Sequence, residues 1–220
     1  MTKGTLIFDY DGTINETIET FEPSVRKAIE WLKDEKGIIA PEADTTRISR
    51  FLGMNARDMW LDFIPDLPDD VALEIRDVVG DEMLRLEAAG CCKWYEGIEE
   101  ALTKFKEEGW NLAILSNCRT HHAKGHWDTF HLEKWFTKFY DCQSFGFAPK
   151  TEIIKTVMAE QPGPWIMIGD RSSDRDCAKA GGIKFIGCGY GYGSPEELEG
   201  SDIILESSLD LPSAVEKLAE

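Results

Sequence analysis

The stretch Thr5-Leu6-Ile7-Phe8-Asp9-Tyr10-Asp11-Gly12-Thr13 decides how this chain folds. A short apolar run with a β-branched member ends abruptly in acid and glycine. That is the pattern of a buried strand delivering a loop. Beyond it the texture changes, and from Glu22 to about Ala89 the spacing is helical with no convincing strand. Val25, Ala28, Ile29 and Leu32 fall at i, i+3, i+4 and i+7, with Pro23 near the expected start and Gly37 at the end. A second helix is expected from Thr45 or Thr46 to Leu52, and a third from Asn55 to Phe63. A fourth begins near Pro68, with Ile75, Val78, Val79, Met83 and Leu86 on one face and Gly80 inside it.

After Trp94 the pattern alternates. Ile98, Ala101, Leu102 and Phe105 make a helix closed by Gly109, and Asn111 to Leu115 is an apolar strand. A polar helix over Thr120–Phe130 and a short strand near Phe139 follow. Next come a helix from Lys150, with Ile153, Ile154, Val157 and Met158 inward, and a strand from Trp165 to Ile168. Ser172–Ala180 is a helix, Ile183–Ile186 and Ile203–Leu205 are strands, and a helix ends the chain. Strands alternating with helices imply right-handed crossovers and a parallel, doubly wound sheet. The expected layout is an α/β core, made of the first strand and the second half of the chain, interrupted by a helical insert.

The 220 residues are 42% hydrophobic and 30% charged, which excludes a disordered or low-complexity chain. Forty-one acids against 24 bases give a formal charge of -17. With no basic patch to oppose it, that field repels nucleic acid and anionic membrane surfaces. Neither a signal-peptide apolar region nor a run of roughly 20 apolar residues is present. The six cysteines, Cys91, Cys92, Cys118, Cys142, Cys177 and Cys188, show no CxxC spacing. They read as buried free thiols in a cytoplasmic protein.

In open α/β sheets the ligand sits at the carboxyl ends of the strands. Those ends read Asp9-Tyr10-Asp11-Gly12-Thr13, then Ser116-Asn117, Pro149-Lys150, and Gly169-Asp170 with Asp174 four residues on. Asp9 and Asp11 are one residue apart and in an extended segment project to the same side. Crowded carboxylates repel and tolerate each other best beside a cation. With Asp170 they form a set of hard oxygen donors suited to Mg²⁺, which keeps waters and binds phosphate oxygens. The Ser116 hydroxyl and the Lys150 charge suit the oxygens of a phosphoryl group in transit. The chemistry implied is phosphoryl transfer to a carboxylate.

Phe8-Asp9-Tyr10-Asp11-Gly12-Thr13, Leu115-Ser116-Asn117, Lys150 and the run Ile168-Gly169-Asp170-Arg171-Ser172-Ser173-Asp174 resemble, in order, the four motifs of the haloacid dehalogenase superfamily. The resemblance is to its phosphoglycolate-phosphatase-like members with a helical cap and covers nearly the whole length. Trp94-Tyr95-Glu96-Gly97-Ile98, Cys177-Ala178-Lys179-Ala180-Gly181 and Gly191 to Leu198 extend it. It implies a Rossmann-like catalytic core over residues 1–15 and 93–220 and a cap over 16–92, whose motion gates access to the site. By the same resemblance Asp9 is the nucleophile and Asp11 the acid and then the base. Asp9, the Asp11 carbonyl and Asp170 hold Mg²⁺, and Asp174 supports the metal shell or orients Lys150. Ser116, Asn117 and Lys150 bind substrate. Two departures stand out. Proline precedes Lys150 instead of following it, and Glu16-Thr17 replaces the usual Asp-Ser. The acid at position 11 argues against dehalogenation, which has no alkoxide to protonate.

Other features point elsewhere less strongly. Gly187, Gly189, Gly191 and Gly193 do not make G-x-G-x-x-G and read as a flexible loop beside the site. His122 and His126, one helical turn apart with His121 and His131 nearby, read as a solvated helix face, not a metal pair. Lys155, a turn beyond Lys150, is the poorer candidate for the catalytic lysine. Cys118 lies beside the phosphate site, and Arg119 either contacts substrate or begins a helix. Arg47, Arg50, Gly53-Met54 and Arg57 are cap residues that could select the leaving group, although surface ion pairing is the commoner use for each arginine. The seven tryptophans read as core. The expected function is Mg²⁺-dependent hydrolysis of a small phosphorylated metabolite by a monomer or homodimer. The alternatives are a sugar-phosphate mutase and a non-catalytic phosphoester-binding protein.

Overall fold

The computed structural model describes residues 2–52, 54 and 56–219, and at positions 56, 57 and 58 the backbone only. It divides into two compact units, one of residues 1–16 and 94–220, the other of residues 17–93.

The first unit carries a six-stranded sheet, β1 (Gly4–Phe8), β2 (Trp110–Ser116), β3 (Lys138–Asp141), β4 (Trp165–Gly169), β5 (Lys184–Cys188) and β6 (Ile203–Leu205). Every neighbouring pair is parallel and the spatial order is β3-β2-β1-β4-β5-β6. All five residues of β1 are buried, as a central parallel strand requires. Its side chains alternate between two cores. Leu6 and Phe8 join Ile98, Leu102 and Phe105 of α5 (Ile98–Glu107) and Leu211 and Val215 of α9 (Leu211–Ala219) on one face. Ile7 joins Ile153, Ile154 and Val157 of α7 (Lys150–Glu160) and Cys177 and Ala178 of α8 (Ser172–Gly181) on the other. The chain runs outward from β1 to β2 and β3, then returns to β4 on the opposite side of β1. The topological switch point therefore lies between β1 and β4, whose outgoing residues are Asp9 and Asp170.

The second unit is helical, α1 (Ile18–Lys36), α2 (Thr45–Ser49), α3 (Ala56–Phe63) and α4 (Asp69–Ala88). Phe21, Val25, Ala28 and Leu32 bury one stripe of α1, and Val71, Ala72, Ile75 and Val79 one stripe of α4. Trp60 meets Phe63 edge-on at 5.7 Å between ring centres, and Phe63 meets Phe51 at 5.8 Å. Back in the first unit, α6 (Thr120–Thr129) links β2 to β3. No helix among the described residues is long and apolar enough to cross a membrane.

Several expectations need correction. The first helix starts at Ile18, five residues before Pro23, and proline is simply carried within it. The second helix stops at Ser49, short of Leu52. Ile29, Val78, Met83, Leu86 and Met158 are half-buried edges of their stripes. Only Trp60, Trp110 and Trp135 are buried among the tryptophans. Cys91 is exposed, and Cys92 and Cys118 are half-buried, so buried free thiols describe only Cys142, Cys177 and Cys188.

Candidate active site

Asp9 leaves the central strand with its amide donating to the Ile168 carbonyl at 2.8 Å, so the backbone of β4 fixes where its side chain starts. Lys150 is the first residue of α7, directly after Pro149, which caps the helix in extended conformation. A proline there sets the backbone without needing a donor, and it directs Lys150 into the protein, where only 2% of it is exposed. Its Nζ donates to Asp9 Oδ1 and to Asp174 Oδ1, both at 2.6 Å. Lys155 is exposed. Asp174 serves two partners, because its Oδ2 also accepts from the Arg171 amide at 3.0 Å, capping the start of α8. One carboxylate thus ties the lysine to the helix that follows β4.

Asp170 is fully buried. Its Oδ2 accepts from the Tyr192 amide at 2.8 Å, while its Oδ1 is sealed from solvent with no hydrogen-bond partner. Oxygens of Asp9, Asp170 and Asp174 lie within 4.8 Å of one another. The loop after β5 is pressed onto this group. A side chain at Gly193 would strike the Asp170 carbonyl oxygen, and one at Gly12, where φ is 86°, would strike the Asp170 carboxylate. Of the alternate glycines, Gly191 and Gly193 serve close approach to Asp170, which spacing alone did not disclose.

Burial, reinforced by Asp174 and opposed by Lys150, pushes the Asp9 carboxyl up to about 7. Burial first, then Asp9 and Asp174, also hold Asp170 well above the usual carboxylate range. Burial would lower the Lys150 ammonium, but Asp174 and Asp9 more than reverse that and keep it charged. One buried cation facing three buried carboxylates leaves a deficit of positive charge. The orphaned Asp170 Oδ1 marks where the deficit is felt. A hard, oxygen-seeking divalent cation fits this donor set.

After Asp9 the chain curls, with the amides of Ile14 and Asn15 both reaching the Tyr10 carbonyl at 2.9 Å. Asp11 Oδ1 lies 3.3 Å from Asn15 Nδ2 and 3.4 Å from His122 Nε2. Its charge still raises the Asp9 pKa. Ser116, at the end of β2, is 2% exposed and its Oγ accepts from the Cys118 amide at 3.2 Å. Asn117 is exposed and its carbonyl accepts from Cys142 Sγ. Burial and the charge of Asp11 push the Cys118 thiol well up, which makes it a poor nucleophile. Arg119 stands in extended conformation at the start of α6.

The histidine pair overturns its sequence reading. His126 is 1% exposed and its Nδ1 lies 2.7 Å from the Tyr10 hydroxyl. The His122 side chain is 12% exposed, and the two imidazoles sit 4.2 Å apart. Polar composition concealed this, because α6 turns that face inward onto Tyr10 and Phe130. In the helical unit Arg47 lays its guanidinium over the Phe63 ring at 4.6 Å and donates to the Glu42 carbonyl. Arg50 and Met54 are exposed. Gly53 and the Arg57 side chain lie outside the described residues.

A family model described as haloacid dehalogenase-like hydrolase matches residues 6–188. The chain belongs to the haloacid dehalogenase-like hydrolases. Among its curated relatives, a phosphoglycolate phosphatase of Mesorhizobium japonicum is 24% identical over 204 residues, spanning 87% of this chain and 85% of that protein. A 5′-nucleotidase of Pseudomonas aeruginosa is 27% identical over 199 residues, or 88% and 86% of the two chains. A solved structure reported as a predicted phosphatase from Clostridium acetobutylicum superposes with a TM-score of 0.81, at 24% identity over 99% of this chain and all of that one. At such identity the structural likeness speaks for the fold.

Proposed function

We propose that this hydrolase is a Mg²⁺-dependent phosphatase that cleaves a small phosphomonoester through an aspartyl-phosphate on Asp9. The observation that carries the proposal is the buried Asp9-Lys150-Asp174-Asp170 cluster at the switch point, with one Asp170 oxygen left without a partner. The relatives' names supply the class, since phosphoglycolate and nucleoside monophosphates are both phosphomonoesters with an alcohol leaving group.

Asp9, Asp170 and the Asp11 carbonyl would hold the cation, with Asp174 beside them. Bound there, Mg²⁺ supplies positive charge that keeps these carboxylates ionised and opposes the charge of phosphoryl oxygens. In the first half-reaction an Asp9 oxygen forms a bond to phosphorus as the bond from phosphorus to the ester oxygen breaks. Asp11, protonated, gives its proton to the departing oxygen. In the second half-reaction Asp11 accepts a proton from a water that attacks phosphorus, and the electron pair of the broken bond returns to Asp9. Lys150 is a fixed point charge for the equatorial oxygens, immobilised by Asp9 and Asp174. Ser116 donates its hydroxyl and Asn117 adds polar contact at the same strand end. The cysteines all stand as free thiols, which suits the reducing cytoplasm.

The test is phosphate release from a panel of small phosphomonoesters, with and without Mg²⁺, beside Asp9→Asn. Metal-dependent release that the substitution abolishes supports the proposal. A folded, Mg²⁺-loaded protein that releases phosphate from no ester overturns it.

A further inference from the structure

We propose that His122 is a positioning residue for Asp11, latching the proton-transferring carboxyl to α6; the inference rests on the phosphatase reading above. Two successive residues of the loop after β1 meet two histidines one turn apart on one helix. Tyr10, fully buried, places its hydroxyl 2.7 Å from His126 Nδ1. Asp11 places Oδ1 3.4 Å from His122 Nε2. The imidazoles sit 4.2 Å apart, so each limits the rotation of the other. Phe130 stacks on His126 and Tyr10 meets it edge-on at 5.1 Å, closing the far side.

The helix is itself anchored. Thr120, its first residue, donates its hydroxyl to Asp141 Oδ1 at 2.6 Å, and Asp141 in turn accepts from the Ser144 amide at 2.9 Å. A rigid element therefore brings an imidazole nitrogen to 3.4 Å from one oxygen of Asp11, while Asn15 donates to the same oxygen at 3.3 Å. A carboxyl that must deliver a proton to the ester oxygen, and later receive one from water, gains rate from being held in place. His126, whose ring is enclosed, has the Tyr10 hydroxyl at its Nδ1. His122 Nε2 faces the Asp11 carboxylate instead.

The proposal separates from a merely structural role by leaving group. An alkoxide must be protonated as it departs, whereas 4-nitrophenolate departs as an anion and makes little demand on Asp11. The value of kcat/KM reports events up to the first irreversible step, here transfer to Asp9. The experiment therefore measures kcat/KM for alkyl phosphomonoesters and for 4-nitrophenyl phosphate, with Mg²⁺ present, on the full chain. His122→Leu is compared with His122→Phe, which keeps a ring but no donor, and with His122→Gln, whose amide can reach the position of Nε2.

Leu and Phe are expected to lower kcat/KM for alkyl esters about tenfold or more while costing the aryl ester less than about threefold, and Gln is expected to recover most of the loss. On an Asp11→Asn background the same changes are expected to add nothing. Equal losses on both ester classes, or a full extra loss on Asp11→Asn, would overturn the proposal. If His122→Leu fails to fold, the Phe variant decides by the same comparison. A wild type that releases no phosphate from either ester refutes the phosphatase reading instead, and the two failures are told apart by that control.

Discussion

The two units of this chain handle charge in opposite ways. In the α/β unit Asp9, Lys150, Asp170 and Asp174 are all at least nine-tenths buried, clustered at the ends of two central strands. In the helical unit the buried stripes of α1 and α4 are mostly apolar, and the buried carboxylate of Glu82 finds its partners in water. Glu82 there accepts from Lys27 and Arg85, whose side chains are 54% and 61% exposed. Burying a charge costs several kcal/mol before any pairing repays it. A fold that gathers four such groups in one place, where Glu82 elsewhere keeps its partners in water, marks that place as chemical. Substitution should follow the same division, costing activity in one unit and stability in the other.

The sharpest break between the units is Asp9→Asn, expected to reduce phosphate release by about three orders of magnitude or more, with the far-UV circular dichroism spectrum unchanged. Next is Trp60→Ala in the helical core, expected to cost about 3–5 kcal/mol of stability through the cavity it leaves, read by denaturant titration. Its lesion lies in packing, so the pH dependence of kcat should not move. Were Asp9→Asn to unfold the protein, or Trp60→Ala to shift the pH profile, the division between the units would be wrong.

Metal and pH sharpen the comparison further. In the metal-free fold the Asp9 carboxyl stands at about 7, above its unfolded value, so the native state holds this proton more tightly than the unfolded chain. Stability from that source is present at low pH and is lost as pH rises toward about 7. Mg²⁺ must displace the proton to bind, so the rise in melting temperature it causes should be larger at about pH 8 than at about pH 5. An equal rise at both would show that these carboxylates do not receive the metal. Asp170→Asn should remove the Mg²⁺-induced rise while the metal-free variant melts no lower than wild type.

The smallest effect belongs to Glu82. Lys27 and Arg85 pull the Glu82 carboxyl down to about 2, so its contribution is present above its ordinary value and lost as pH falls toward about 2. Glu82→Gln should lower stability only slightly near neutral pH, in keeping with partners exposed to water, and leave phosphate release unchanged.

The sheet was legible because parallel strands buried on both faces read as apolar runs ending in acid or glycine. The same ends named Asp9, Ser116 and Asp170 before any geometry, whereas Lys150, also read from a strand end, opens α7 well past the end of β3. What sequence could not disclose was set by close approach. The chain curls at Tyr10 directly after Asp9, a turn that an alternation rule, which assumes extended backbone, does not anticipate. The glycines at 191 and 193 look like a mobile loop until Asp170 is seen against them. His122 and His126 sit in a helix whose composition is polar, so hydrophobic periodicity had nothing to register there. The early start of α1 reflects a helix that continues through a proline, where the pattern argues for a beginning.

The central claim is a covalent phosphoryl group on Asp9, and the most direct measurement is to trap it. In Asp11→Asn, 4-nitrophenyl phosphate can still transfer its phosphoryl group, because its leaving group needs no acid, while hydrolysis loses its base. Acid quenching and peptide mass analysis should then find the phosphoryl increment on the peptide containing Asp9, and none when Asp9→Asn is added. Turnover of the ester by wild type with no phosphorylated peptide, or with the group on another residue, would contradict the account.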